Sequence, residues 1–466
     1  MRGQREQGWS AEELERLTEG GWVAAPADRA WKTTGICAEA TQFRPGQMLL
    51  AQAGAAGLRL PEIKHLSSRS AGIVGESGSE LVKFGVPVFE VANLRKTVTD
   101  LAVAARREFG GTVLAVTGSV GKTTTVAMAA QAFAGIGKSD RSRTSANSLY
   151  GIGWNLASME RDAKFWVQEM AIGKMDVCTK LVRPDIAIVT AITSAHAASF
   201  GDTRNIAEKK ARIYLGMKPG GVAVINRDMP EFQIFEAAAL DAQLRVLSFG
   251  SLAGCDARLL DINGRIIRAD VLGTEYSFEL GAPGRHMAMN ATAVLAAVAA
   301  LGHSVEDAAR QFAVFEPLAG RGKRSAVTFE GKKVQVWDDS YNANPASMKA
   351  ALRTMRDEAE AIPQESRLLI LGDMLELGPD AQELHLELEE DILAVQPDRV
   401  LLCGSFMNAL EERLSPLVKC RWFADVKDMA PGIDRWVRDE DVILVKGSHG
   451  IKLGSIVNLL TRNASR

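Results

Sequence analysis

Between Thr112 and Phe133 the chain reads as a buried strand, a glycine-bracketed turn and a helix in immediate succession. Thr112-Val113-Leu114-Ala115-Val116 is an unbroken apolar run bounded by glycines, the pattern of a parallel strand covered on both faces. The turn that follows is Thr117-Gly118-Ser119-Val120-Gly121-Lys122-Thr123-Thr124-Thr125. Gly118 and Gly121 permit backbone geometry closed to larger residues. A helix over Thr123 to Phe133 starts at once, so its first N–H groups and those of the turn face a common point and suit a phosphate. Lys122 can reach terminal phosphates, and the Thr123 hydroxyl suits Mg²⁺. The usual loop has a further glycine where Val116 stands; here that residue belongs to the strand, and the loop is a short variant. Gly118, Ser119, Val120, Gly121, Lys122, Thr123 and Thr124 are the candidate ATP phosphate contacts.

The rest of the chain repeats the strand–helix alternation. Buried strands fit Phe165 to Met170, Asp185 to Thr190 and Val222 to Asn226, and helices fit Asn290 to Leu301 and His303 to Phe312. Past Leu318 the sequence turns polar and glycine-rich through Gly320-Arg321-Gly322-Lys323-Arg324, and a second alternating series begins. Its strands fit Val334 to Asp338, Arg367 to Leu371, Arg399 to Cys403 and Val442 to Lys446; its helices fit Ala346 to Ala361, Ala381 to Ala394 and Ile451 to Thr461. Ahead of both series, Ser10-Ala11-Glu12-Glu13 reads as a capping box, and Met48 to Ala51 and Ala71 to Val74 read as strands. An α/β chain of three units follows: a small α/β domain over 1–105, a central P-loop parallel-sheet domain over 106–318 and a Rossmann-like domain over 319–466.

Composition narrows the function. With 466 residues, 47% hydrophobic and 24% charged, the chain can bury several cores. A net charge of -2 and 6% aromatics provide neither a basic field nor stacking platforms for nucleic acid. The five cysteines are scattered without a CxxC pair, which excludes a zinc knuckle or redox dithiol and fits a reducing compartment. The charged start has no apolar leader, and no apolar run is long enough to cross a bilayer, so a cytoplasmic protein with no membrane partner is expected.

Other residues say what the phosphate chemistry serves. Glu169 ends a buried strand and therefore lies on the crevice side of the sheet, where the phosphates lie, as a metal ligand would. His196 follows the strand at 186–192 and can reach the same crevice. Lys209 and Lys210 lie on the next helix. Each alone has a plain reading: an ion pair for Glu169, a satisfied structural histidine for His196, a solvated charge for Lys210. Met287 and Met289 read as core filling, and His385 stands on a helix that can face the cleft.

Taken together, these segments resemble the Mur ligases of peptidoglycan synthesis over roughly residues 110–450. The resemblance is carried by Thr117 to Thr125, Glu169-Met170-Ala171, Ala195-His196, Ile206 to Lys210, Asn226-Arg227-Asp228, Gly284-Arg285-His286 with Asn290, and Gly320-Arg321. Further on come Asp338-Asp339-Ser340-Tyr341-Asn342-Ala343-Asn344-Pro345, Leu371 to Gly378 and Lys446-Gly447-Ser448. The nearest branch is the one that adds D-alanyl-D-alanine to UDP-N-acetylmuramoyl-tripeptide. The resemblance implies an ATP-dependent ligase that joins a small-molecule carboxylate to an amine through an acyl phosphate, acting as a monomer. It implies two Mg²⁺ ions. Lys122 and Thr123 would hold the ATP phosphates and the first ion; Glu169 and His196 would hold the second, with Lys210 as a carbamate orienting it. Asn290, Arg321 and Asp339 would contact the nucleotide, His286 lies in the same motif as Asn290, and Tyr341, Asn342 and Asn344 would line the nucleotide side of the cleft.

The first domain departs from the family. Where the family has Asp-Ser-Arg shortly before Pro-Gly, this chain has Glu39-Ala40-Thr41 before Pro45-Gly46. Asn147-Ser148-Leu149 replaces Asn-Asn-Glu, and Arg212 replaces an acidic residue. Two further readings therefore stay open. One is a ligase of the same chemistry acting on an acid without UDP, in capsule or natural-product synthesis. The other is a P-loop nucleotide switch or binding protein, which would have no evident need for Glu169, His196 and Lys210 together.

Overall fold

The computed structural model describes residues 8–54, 57–143, 147–193 and 202–462. His196, with Ala195, lies outside the described residues. Three main sheets carry the chain. The first has five strands in the order Gly20–Ala24, Val88–Val91, Gly72–Gly75, Met48–Leu50 and Ile36–Cys37, parallel except for its first pair. The capping box at Ser10 forms as expected and opens the helix Ala11–Leu17.

The helix Leu94–Glu108 runs through the expected 105/106 boundary. Its Leu94, Val98, Leu101, Ala102 and Ala105 recur at helical spacing and are buried. They join a single apolar cluster that extends from Trp9 and Leu14 of the first sheet's domain to Trp154, Ile206 and Phe235 of the next.

The second sheet has nine strands, and the phosphate-loop strand Thr112–Thr117 lies inside it, between Phe165–Glu169 and Ile186–Val189. All three are parallel, so their C-terminal ends form one crevice. Ser139–Arg141 is the edge strand beyond Phe165–Glu169. At the opposite edge the sequence reading missed an antiparallel ribbon, Ala257–Asn263, Ile266–Val271 and Thr274–Glu279. The helix expected from Asn290 begins earlier, at Arg285, and runs to Ala300.

The third sheet has six strands in the order Lys323–Phe329, Lys332–Asp339, Asp441–Lys446, Arg367–Gly372, Arg399–Cys403 and Lys419–Phe423, parallel after the first pair. It carries its own apolar clusters on its two faces. The helix expected over 381–394 is interrupted at Glu387 and forms two pieces, Ala381–Leu386 and Leu388–Ala394. No helix among the described residues is long and apolar enough to cross a membrane.

Candidate active site

The loop after Thr117 turns on two glycines that nothing larger can replace. Gly118 has φ +149, and a Cβ there would lie 1.9 Å from the Thr190 hydroxyl. Gly121 has φ +82, and a Cβ there would lie 3.2 Å from Asn290 Oδ1. The turn is pinned by the Ser119 N–H donating to the Ala191 carbonyl (2.7 Å) and the Thr190 hydroxyl donating to the Val120 carbonyl (2.6 Å). The helix Lys122–Ala134 then starts at the mouth of the crevice.

Three elements deliver side chains to this mouth. Glu169, 2% exposed at the end of its strand, accepts the Thr123 hydroxyl on Oε2 (2.5 Å) and the Asn147 amide on Oε1 (2.8 Å). Its own N–H donates to Ser142 Oγ at 2.9 Å. Lys210 comes from the helix Thr203–Ala211 and is also only 2% exposed; its Nζ donates to the Gly118 carbonyl at 2.8 Å. It is no solvated surface charge. Burial, and then the charge of Lys122, hold its pKa well below the usual lysine value, against an opposing pull from Glu169. Burial likewise lowers Lys122, whose Nζ donates to the Ser119 carbonyl at 3.1 Å.

The third sheet closes the other side. Gly320 and Asp338 are tied by the Gly320 N–H donating to Asp338 Oδ2 (2.7 Å), and the Arg321 guanidinium lies 4.1 Å from the centre of the Tyr341 ring. Asp339 pairs with Lys446 at 2.7 Å, and Lys446 Nζ also donates to the Asn342 carbonyl at 3.0 Å. Asn344 caps the helix Pro345–Asp357, its Oδ1 accepting the Ser347 N–H at 2.9 Å. The His286 ring is open to the cavity, yet desolvation by the walls lowers its pKa, opposed by Asp339.

Between these walls lies a cavity of about 1040 Å³. Ser119 to Thr124, Glu169, Lys210, His286, Asn290, Arg321, Asp339, Tyr341, Asn342 and Asn344 all line it, so residues spread over 226 positions of sequence meet in one cleft. Gly118 enters through its carbonyl alone, as the partner of Lys210. Met287 and Met289 both pack on the core and line the cleft, so they are wall as well as filling. His385 does not face it. The ring is fully buried, with Nε2 accepting the Met374 N–H at 2.8 Å and Nδ1 facing the Ala381 carbonyl. Sequence reasoning gave no role to Lys446, Asn147 or Asn226. Each had a signal: Lys446 and Asn226 lie in segments singled out by resemblance, and Asn147 in one judged altered. Asn226 ends the strand Val222–Asn226, and its Nδ2 donates to the Thr190 carbonyl at 2.7 Å.

A phosphate loop, a buried lysine and a carboxylate at strand ends, faced by a second Rossmann-like domain, match known families. The Mur ligase middle domain matches residues 116–298, and the Mur ligase glutamate ligase domain matches residues 323–449. The UDP-N-acetylmuramoyl-tripeptide–D-alanyl-D-alanine ligase of Bacillus subtilis is 31% identical over 366 residues, covering 77% of this chain and 78% of that protein. This chain belongs to the Mur ligase family. The ligase of the same name from Rickettsia prowazekii is 29% identical over 380 residues, covering 79% of this chain and 82% of its own. In fold, the chain is similar to MurF from Acinetobacter baumannii, with a TM-score of 0.77 at 24% identity over 97% of this chain and 99% of that one. The α/β architecture of three domains is that of the Mur ligases, and the protein is an ATP-dependent ligase that forms an amide bond between small molecules.

Proposed function

We propose that this Mur ligase adds D-alanyl-D-alanine to UDP-N-acetylmuramoyl-tripeptide through an acyl phosphate. The observation that carries the reading is the convergence of the phosphate loop, Glu169 and the buried Lys210 at one end of the sheet, in a chain whose relatives bear that activity in their names. Expelling hydroxide from a carboxylate is slow, so the acid's oxygen first attacks the γ-phosphorus and ADP leaves. The amine, as its free base, then attacks the acyl carbon, the tetrahedral species that forms gives up a nitrogen proton to solvent, and inorganic phosphate leaves with the C–O bond pair.

The chain's own residues supply charge and position. Lys122 and Arg321 stabilise negative charge that builds on the transferring phosphoryl group. The loop N–H groups hold the phosphates, Asn290 and Asp339 hold the nucleotide, and Tyr341 and Asn342 wall its site. His286 stays neutral and serves as a hydrogen-bonding group. Asn344 acts through the helix it caps. Thr123 and Glu169, oxygen donors 2.5 Å apart, form the kind of hard set that suits Mg²⁺, with His196 as a further ligand. Mg²⁺ bound there would neutralise phosphate charge. Lys210, held toward its neutral form, is suited to take up CO₂ as a carbamate, and its carbonyl partner at Gly118 keeps it aimed at the loop.

Phosphate release from ATP that requires both UDP-N-acetylmuramoyl-tripeptide and D-alanyl-D-alanine is the expected result. A second reading, an acid without UDP, is favoured by Glu39-Ala40-Thr41, which lacks the serine and arginine of the family triplet. Turnover of a simpler acid beside none with the UDP-linked one would replace the first reading by the second. Robust hydrolysis that ignores both acid and amine would overturn both in favour of a switch.

A further inference from the structure

A second cavity, of about 480 Å³, opens beside the nucleotide cleft where all three domains meet. Thr123, Arg321 and Tyr341 line both cavities, so the two share a wall at the start of the loop helix. Three more arginines enter it: Arg44 from the first domain, Arg141 from the end of the edge strand and Arg143 just beyond. Asp140 is the single carboxylate among the lining residues. It is already engaged, accepting the Arg141 N–H (2.8 Å) on Oδ1 and the Glu160 N–H (2.9 Å) on Oδ2. Arg143 Nη2 lies 3.8 Å from it, beyond hydrogen-bond length. The cavity therefore holds a clear excess of positive charge.

Two of its polar atoms have no partner among the described residues. Arg143 is 8% exposed, and its Nε has no hydrogen-bond partner among the described residues; the same holds for Ser139 Oγ. A buried donor left unmade is costly, and one found in a native cavity calls for a ligand or water that completes it. Burial lowers the pKa of both Arg141 and Arg143, and the charge of Arg44 adds to that against Asp140. Crowded like charges of this kind are relieved by an anion.

We propose that Arg44, Arg141 and Arg143 form an oxyanion cradle for the acid substrate, binding a phosphate or carboxylate that the acid carries in addition to the carboxylate it activates. The proposal rests on the ligase reading above and deepens it by assigning these three arginines to an anionic group of the acid other than the reacting carboxylate. That group anchors in the smaller cavity, and the reacting carboxylate reaches past Thr123 into the larger one. Planar guanidinium forks suit either oxyanion.

Two measurements test it. The full chain, saturated with ADP and Mg²⁺ so that the loop is occupied, is titrated with inorganic diphosphate by calorimetry. Saturable binding is expected, weakened about tenfold in R143Q and in R44Q and partly restored in R143K. Arg44 is exposed, so its replacement leaves the core untouched. No binding to the unaltered protein, or equal binding to both glutamine variants, overturns the cradle. This arm requires no turnover and stands whatever acid the ligase uses. In the second arm, phosphate release is followed with UDP-N-acetylmuramoyl-tripeptide and with UDP-free muramoyl-tripeptide. The variants should raise the KM for the acid about tenfold and leave that for ATP within about twofold. A rise confined to the UDP-linked acid assigns the cradle to phosphate, and an equal rise for both assigns it to carboxylate. A matching rise in the KM for ATP overturns it. Intact diphosphate binding with no turnover of either acid would sink the substrate assignment and uphold the cradle.

Discussion

The central domain meets its two neighbours in opposite ways. Toward the first domain the junction is a continuous core. Trp9 Nε1 donates to the Ala157 carbonyl (2.9 Å), Trp154 Nε1 to the Ile36 carbonyl (2.7 Å), and Arg161 stacks 3.7 Å from the Trp9 ring centre while pairing with Glu108. Toward the third domain the junction is the larger cleft itself, and the apolar clusters of the third domain stay separate from those of the second. A shared core makes two sheets one mechanical body; a cleft crossed by the Leu318 to Gly322 connection, with no core in common, is the kind of junction at which domains move. Residues at the first junction should therefore set stability, and residues at the second should set rate.

The largest expected effect is on the cleft side. Lys122→Ala should lower kcat by about 10³-fold or more, with an unfolding midpoint close to that of the parent. A large loss of stability in that variant would break the contrast. On the sealed side, Trp154→Ala removes a buried ring and its hydrogen bond and should cost about 3–5 kcal/mol in denaturant unfolding. Protease cuts should then appear in the first and central domains together; release of the first domain alone, with the central one intact, would argue against a common body.

The third prediction concerns Lys210 and pH. Its pKa is lowered, so the amine is neutral, and able to react with CO₂, at pH values where an ordinary lysine is charged. As pH falls through that lowered value, protonation removes the nucleophile. In degassed buffer, activity should drop roughly tenfold per pH unit on the acid side and recover with added bicarbonate. A carbon-13 carbamate signal, absent in Lys210→Ala, is the direct check, and indifference to bicarbonate together with no such signal would rule the carbamate out. The smallest effect is Ser158→Ala, which removes the hydroxyl that both donates to and accepts from the Ile36 backbone. It should cost about 1–2 kcal/mol with kcat unchanged.

What the sequence made legible follows the same division. The buried parallel strands at 112–117, 222–226 and 399–403 announce themselves because an apolar run covered on both faces has one reading. The phosphate loop and the end of the Phe165–Glu169 strand did so through local chemistry. The ribbon at 257–279 escaped, although Asn263-Gly264 is a strong hairpin signal, with Gly264 at φ +58 and Leu272-Gly273 turning at φ +54 and +84. Its strands alternate polar and apolar in short stretches that a search for buried runs passes over. Lys210 was singled out only through its neighbours in the family pattern. Taken alone, a lysine on a polar helix gives no hint that its tip is buried against the Gly118 carbonyl. The second cavity was invisible for a different reason: Arg44, Arg141 and Arg321 come from three domains, and no spacing in one stretch of chain encodes their meeting.

The continuous core from Trp9 to Phe235 also bears on how such a ligase can be rebuilt. A graft that exchanges the whole first domain would have to replace half of a packed interior, with Ile36, Trp154 and the Leu94–Glu108 helix refitted at once. Retargeting the acid by exchange at Thr41 and Arg44 avoids that, because these two side chains are exposed, whereas Ala40 and Phe43 between them pack on the core. The third domain offers the opposite opportunity. It is joined through Gly320 and Gly322, both at positive φ, and carries its own interior, so it can be exchanged as a module without refitting the core of the other two.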